Sequence, residues 1–204
     1  MGFRVVLTGV GAMNSPRFAP AGLLVEHDRA RVMIDGGREN APTGRVDAWL
    51  VTDDRAELIR EIRQAARRRG VEPGVATFEA EGLRLTPRKV THTSHDTFGY
   101  LLEAEGRRIA WAPEFWRLPQ WASAVDLLFA DAAGWDRPIR FAGGVGGHAS
   151  TLDVAAEARR RRVRQLVFAH IGRPTIRAMD AGLRPPFGQF GHDGAVYHPR
   201  RWRH

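Results

Sequence analysis

The sequence predicts an α/β fold in which two β-sheets pack face to face and carry helices on their outer sides. Three observations point to it. The first third is built almost wholly of strand-like apolar segments, the middle third returns to strands, and in the last third buried apolar runs alternate with amphipathic helical stretches. No repeat, low-complexity block or long linker interrupts the 204 residues, a length suited to a single well-buried core, so one domain over residues 1–204 is expected.

Taken in order, FRVVLTG, GLLVEHD and ARVMIDGG read as strands, the last two separated at Asp28 and Arg29 where the apolar pattern breaks. VDAWLVT is the next strand. After it, AELIREIRQAARRRG sets Leu58, Ile59, Ile62, Ala65 and Ala66 on one side at helical spacing, and Gly70 supplies a stop. GVATFEA, GLRLTPRKVTHT, TFGYLLEAE and GRRIAWAPE are strands, with EGRR as a hairpin turn. LPQWASA is a short helix with Pro119 near its first turn. VDLLFADAA and VRQLVFAHI are buried strands. Between them Ser150 or Thr151 caps the helix TLDVAAEARRRR, with Asp153 placed to close a capping box with Ser150. GHDGAVYH is a closing hairpin-like piece that turns at Asp193-Gly194.

Composition narrows the chemistry. There is no cysteine, which removes disulfides, thiolate nucleophiles and cysteine-ligated zinc or iron–sulfur centres, so any metal site must use His, Asp or Glu. The opening MGFRVVLTGVGA is too short for a membrane span and lacks a charged leader and a small-residue cleavage pattern; Gly2 lacks the hydroxyl residue of a myristoylation signal. These features give the expectation of a soluble, cytoplasmic protein with no membrane partner. The net charge of +8 and pI near 11.2 invite a nucleic-acid reading. Against it, Lys89 is the only lysine, and Arg159, Arg160, Arg161 and Arg162 fall late in a helix, where they point around its circumference. A solvated face is favoured over a polyanion surface, and the RRWRH at the C-terminus fits either.

Several of the eight histidines sit at element boundaries. His92 follows the strand RLTPRKVT, His148 lies in GGVGGHAS just before a helix, and His170 ends RQLVFA, while Glu114 ends RRIAWAPE. Strand ends along one sheet edge are where loops converge on a ligand. Imidazole suits a borderline metal when its second nitrogen is held by a carboxylate or carbonyl. One such histidine is commonly structural; three with a carboxylate raise a metal site to an equal alternative.

The ordered segments LTGVGAMNSPR, LLVEHDRARVMIDGG, VDAWLVT, HTSHDTFGYLLEAEGRRIAWAPE, VDLLFADAA, GHASTLDVAAEA and LVFAHI together resemble the metallo-β-lactamase superfamily, and within it the phosphodiesterase and RNase Z branch, from about residue 5 to 197. The resemblance implies a four-layer αββα sandwich, here shortened, with metal ions between the sheets whose bound hydroxide attacks a phosphodiester or ester. It assigns His92 and His170 as histidine ligands, Glu114 to the place of a bridging aspartate one methylene shorter, His148 as the group that protonates the leaving group, and Asp35 as a support outside the ligand set.

The stretch after VDAWLV departs from the family pattern, threonine followed by His-x-His-x-Asp-His. Thr52 is followed by Asp53-Asp54-Arg55-Ala56-Glu57-Leu58, so all four of those ligands are replaced. Three readings stand side by side. In the first, Asp54 is a helix N-cap and Glu57 its capping-box partner, with no function. In the second, Asp53, His92, Glu114 and His170 hold one zinc, manganese or iron ion, since a catalytic site needs about three protein ligands and an open position. In the third, Arg55 enters the old ligand cavity, pairs with Asp53, Glu57 or Glu114, and replaces the metal.

Two functional expectations follow: a metal-dependent hydrolase with His148 as general acid, or a catalytically inactive protein of the same fold that binds an anionic small molecule or, less favoured, nucleic acid. His95 and Asp96 are open to reading as substrate contacts or as ordinary loop polarity. His27, His192 and His198 are read as flanking or surface residues. Trp111, Trp116 and Trp121 are read as core or edge anchors, or as a pocket wall around Glu114. The glycines from Gly143 to Gly147 permit close backbone approach, with a flexible loop as the simpler reading.

Overall fold

The computed structural model describes residues 2–80 and 82–198. The chain begins with β1 (Arg4–Gly9), β2 (Gly22–His27), β3 (Ala30–Asp35) and β4 (Ala48–Leu50), followed by α1 (Ile59–Arg67) and β5 (Pro73–Gly74). Next come β6 (Phe78–Ala80), β7 (Leu83–Val90), β8 (Thr97–Ala104), β9 (Arg107–Ala112) and β10 (Leu127–Ala132). The last part holds β11 (Ile139–Arg140), β12 (Gly147–His148), α2 (Thr151–Arg160), β13 (Gln165–Ile171), α3 (Arg173–Asp180), β14 (Gln189–Phe190) and β15 (Val196–Tyr197). One sheet has the order β15-β1-β2-β3-β4-β5 and the other β14-β13-β10-β9-β8-β7-β6, with β11 and β12 forming a separate two-stranded ribbon.

Side-chain alternation in the first sheet explains the layering. Val5, Leu7, Leu23, Val25, Val32, Ile34 and Leu50 face the core shared with the second sheet. Their sequence neighbours Leu24, Met33 and Trp49 face the other way, into a second cluster with Ile59, Ile62, Ala65 and Ala66 of α1. A strand of period two between two apolar layers produces this split, and it puts α1 on the outer face. On the far side, β10 reads LLFADA and is buried throughout, because it pairs in parallel with β9 and β13 and α2 covers it. The result is the expected four-layer αββα sandwich.

Local chemistry fixes several joints. Ser150 caps α2: its hydroxyl oxygen accepts from the Asp153 amide at 3.1 Å and its proton goes to the Asp153 carboxylate at 2.6 Å. Glu105 and Gly106 turn the β8–β9 hairpin with φ of 51° and 70°.

Three expectations need correcting. Helix α1 starts at Ile59 with Leu58 as N-cap and no side-chain cap, so Asp54 and Glu57 do not form a capping box. Asp54 and Arg55 lie instead in a turn before the helix. Asp193-Gly194 does not close a hairpin: β14 joins the second sheet beside β13, and β15 joins the first beside β1. The Asp193 carboxylate accepts from the amides of Val10 and Ala19, both at 2.9 Å, and so ties the two ends of the chain together. Helix α3 was not expected; Gly172 and Pro174 disguise its start, although proline within the first turn is favourable. His27 flanks the turn at Asp28-Arg29 as expected and is buried, with Phe3 edge-on to its ring. The RRWRH segment lies outside the described residues. Among the described residues no helix is long and apolar enough to cross a membrane.

Candidate functional site

Strand direction assembles the site. β9, β10 and β13 run parallel, so Glu114 just beyond β9, Asp131 near the end of β10 and His170 near the end of β13 reach the same edge. β3 and β4 are parallel in the other sheet and bring Asp35, Thr52 and Asp53 to that edge. His92 follows β7, and His148 ends β12. A cavity of about 670 Å³ opens there, lined by Asp35, Thr52, Asp53, His92, His95, Glu114, His148 and His170, with Arg55, Glu57 and Arg173 also on its wall.

Three imidazoles and one carboxylate form the floor. The His92 Nδ1–H donates to the Gly147 carbonyl at 3.0 Å, which fixes the tautomer and turns Nε2 toward Glu114, whose Oε2 is 3.6 Å away. The other carboxylate oxygen of Glu114 lies 3.1 Å from His170 Nε2. His148 packs between the two, with ring centroids 4.7 Å from His92 and 5.2 Å from His170, and stacks on the latter at an interplanar angle of 18°. Phe141 closes the group edge-on against both His92 and His148.

Asp131 is the residue that sequence reasoning passed over. It is fully buried at the end of an apolar strand, where an unpaired carboxylate would be costly. Oδ1 accepts from the Ala133 amide at 2.9 Å, and Oδ2 accepts from the Phe115 amide at 3.1 Å and from His148 Nδ1 at 2.8 Å. Burial works to raise the Asp131 carboxyl, but the His148 charge and hydrogen bond, aided by His170 and the Ala133 amide, hold it below the ordinary range. His148 is the mirror case: burial works against its proton, yet Asp131 outweighs it and, with Glu114, raises its pKa. His170 moves the other way, lowered first by burial and further by His148 and His92 against the pull of Glu114. The visible signal was a single acid in LLFADAA that no turn or surface position could explain.

Asp35 supports the site from its side. Oδ1 accepts from the Thr52 amide at 2.7 Å and its hydroxyl at 2.9 Å, and Oδ2 accepts from Trp111 Nε1 at 2.7 Å. Burial, with a contribution from Glu114, nevertheless pushes its carboxyl up to about 7, against the pull of these three donors. Trp111 is therefore a core residue that fastens Asp35. Trp121 donates to the Lys89 carbonyl and Trp116 lies under the Arg140 guanidinium at 5.5 Å, so the tryptophans do not wall the cavity.

Asp53 is not with the other expected ligands. Its oxygens accept from His95 Nε2 at 2.8 and 3.0 Å, and Oδ1 also takes the Arg55 amide at 2.8 Å. His95 is thus the partner of Asp53 within the cavity wall, whereas Asp96 turns outward to Lys89 at 2.8 Å. The Arg55 side chain is 71% exposed and comes only to 4.0 Å from Asp54. It stands at the rim and does not enter the cavity to pair with Asp53, Glu57 or Glu114. The glycine-rich segment is a close backbone approach: a Cβ at Gly146 would collide with the His92 carbonyl, and one at Gly147 with the Ile139 carbonyl.

These positions bear on how a metal ion would be held. Among the described residues no group of three or more His, Asp or Glu side chains is arranged to hold a metal ion. The physical reasons are that Asp53 has spent its oxygens on His95 and Arg55, and that the longer Glu114 side chain itself lies between the imidazoles. The set Asp53, His92, Glu114 and His170 therefore does not fit a divalent ion as it stands.

No family model matches the sequence, and no curated protein does either. Solved structures match over nearly the whole chain. The metallo-β-lactamase fold protein YhfI from Bacillus subtilis is 11% identical, with 97% of this chain and 100% of that one covered and a TM-score of 0.74. Zinc-bound PqqB from Methylobacterium extorquens is 17% identical, with coverages of 95% and 99% and a TM-score of 0.71. A diphosphatase from the PhnP family is 19% identical, with coverages of 96% and 97% and a TM-score of 0.70. The chain has the metallo-β-lactamase fold. Its chemistry has to be argued from its own side chains.

Proposed function

We propose that the chain, acting as one domain, is a hydrolase of a small anionic ester, phosphodiester or carboxylic, with His148 as general acid. The observation that carries this reading is the buried Asp131–His148 pair. Its carboxylate fixes Nδ1 and favours the protonated imidazole, and the remaining Nε2 has no hydrogen-bond partner among the described residues. A proton held in this way can pass to a leaving oxygen. Arg55 and Arg173 on the cavity wall suit an anionic substrate, and a cavity of about 670 Å³ suits a small one better than a nucleic acid strand. The diphosphatase among the structural neighbours supports hydrolysis as the reaction class. One zinc, manganese or iron ion on His92, Glu114 and His170 would require Glu114 to leave its position between the imidazoles.

The test is turnover of bis(p-nitrophenyl) phosphate and p-nitrophenyl hemisuccinate by the protein, both chelated and loaded with each ion. His148→Asn is expected to lower kcat about a hundredfold with little change in KM. Equal turnover by His148→Asn would remove the proposal. Metal content measured on the same samples decides the cofactor: a protein that takes up no ion under any loading removes it.

A second reading has an observation of its own. With Leu58 at the last ligand position of the pattern and Asp53 closed off by His95, the protein would bind an anion without turning it over. Calorimetric binding of phosphate or succinate together with absent turnover favours this form. Loss of that binding with rising salt would mark a purely electrostatic, polyanion-like contact.

A further inference from the structure

We infer that the cavity carries an apolar subsite, made by Met13, Leu58, Ile139 and Phe141, that takes the hydrocarbon part of the substrate's alcohol. The substrate is then an anionic ester of an alkyl or aryl alcohol. The inference rests on the hydrolase reading above and goes beyond it by naming the substrate class.

Beside the imidazole floor, much of the cavity wall is apolar. Met13 comes from the loop between β1 and β2, Leu58 and Ile62 from the start of α1, Ile139 from β11, Phe141 from the residue after it and Pro174 from the first turn of α3. Four separate chain segments thus bring hydrocarbon to one space. Apolar side chains ordinarily close against each other, away from water. Here Leu58, Ile139 and Phe141 are only half-buried, and Met13 is 40% exposed. Met13 is one of four large apolar side chains exposed among the described residues, and a second, Val145, lies in the turn that joins β11 to β12. Open apolar side chains gathered around a few polar anchors are the usual form of a small-molecule pocket.

Leu58 carries the most specific signal. In the family pattern its position belongs to a histidine, and as N-cap of α1 it makes no side-chain cap bond, where Asn, Asp, Ser or Thr would satisfy a free amide. Packing on the cluster beneath α1 covers only part of the side chain, and the rest lines the cavity. The helix thus presents hydrocarbon to the cavity at a position where its own backbone favours a polar group.

Charge decides which part of the ester lies against this wall. Arg55 and Arg173, both exposed on the cavity wall, suit the anion, which in a phosphodiester or a dicarboxylic half-ester belongs to the acid portion. The apolar part is therefore the alcohol. Ile139 pairs with His148 across the β11–β12 ribbon, and the Phe141 ring is 5.4 Å from the His148 ring. The apolar wall thus adjoins the residue that faces the leaving oxygen in the hydrolase reading. In the reaction the bond between the acid portion and the alcohol oxygen breaks. Water supplies OH to the phosphorus or carbonyl carbon and, in net balance, H to the alcohol oxygen.

The experiment uses the whole protein, as purified and loaded with each ion, and three probes, monomethyl, monobutyl and monohexyl succinate, whose alcohols leave with similar ease. kcat/KM is expected to rise about threefold per added methylene, and so roughly two-hundredfold from methyl to hexyl. Leu58→Asn and Phe141→Ala should each cut the hexyl-to-methyl ratio about tenfold. Asn is a favoured N-cap, so the first variant keeps α1. A ratio taken within one variant cancels any loss at His148. Equal kcat/KM for the three esters overturns the inference and leaves hydrolysis standing, and so does a wild-type ratio in either variant. If no ester is turned over, the hydrolase reading fails, and calorimetric affinity for the same three anions decides the subsite alone. Binding that tightens with chain length and carries a negative heat-capacity change then supports it, and equal affinity overturns it.

Discussion

Replacing Asp131 by Asn keeps shape and removes charge at the most shielded point of the site. The carboxylate accepts three hydrogen bonds, from the Ala133 amide on Oδ1 and from the Phe115 amide and His148 Nδ1 on Oδ2. If the amide oxygen of Asn takes the Oδ2 place, two of these persist, and its NH2 group faces the Ala133 N–H. One buried donor left unsatisfied costs about 1–3 kcal/mol, and a bond to a charged acceptor reduced to a neutral one costs about 1 more. The expected loss is about 2–4 kcal/mol, read as a shift of the urea midpoint at unchanged slope. The pH dependence has a definite sign. Asp131 is depressed from 3.8, so its contribution is present above that pH and fades as pH falls through the lower folded value. His148 is raised from 6.5, so its contribution is complete below that pH and fades as pH rises through the higher folded value. The difference between wild type and variant is therefore greatest between pH 3.8 and 6.5. A cost under about 0.5 kcal/mol, or one that does not change with pH, would refute the reasoning.

Three further predictions use the same geometry. Trp111→Phe removes the donor 2.7 Å from Asp35 Oδ2 and should cost about 1–3 kcal/mol by urea titration. Because Asp35 is raised from 3.8 to about 7, its contribution falls as pH climbs through that interval, and the variant's deficit should be larger above pH 7 than below it. Gly147→Ala drives a Cβ into the Ile139 carbonyl at a φ of 147°, so a loss of about 2 kcal/mol or more and altered NMR shifts for His92 and His148 are expected. Arg55→His alters an exposed side chain, so stability should stay within about 0.5 kcal/mol of wild type, and this single change should create no zinc affinity measurable by calorimetry.

The layered fold was legible because alternation carries it. The neighbours Leu23, Leu24 and Val25 already sort to opposite faces by period two, and LLFADA can only be a strand covered on both sides. Ser150 and Asp153 announced the start of α2 through a local hydrogen bond within three residues, and that was found as expected. What failed depended on partners distant in sequence. Asp193-Gly194 has turn chemistry, yet the strands around it pair with β13 and β1, far away in the chain. The site divides in the same way. His92, Glu114, His148 and His170 were named from their positions at element boundaries, and they are in contact. Asp53 was assigned to the same group because a motif position states where a side chain starts, not which donor captures its oxygens. Only the loop geometry shows that His95 does so. Asp131 was missed because its burial and its role are both set by tertiary neighbours.

The measurement that tests the account most directly is turnover of p-nitrophenyl hemisuccinate and bis(p-nitrophenyl) phosphate by wild type and His148→Asn, with metal content determined in the same tubes. Measurable hydrolysis that falls about a hundredfold in the variant, at equal affinity for the product anion, is the predicted result. Equal rates in the two proteins, or none in either under every loading, would contradict it.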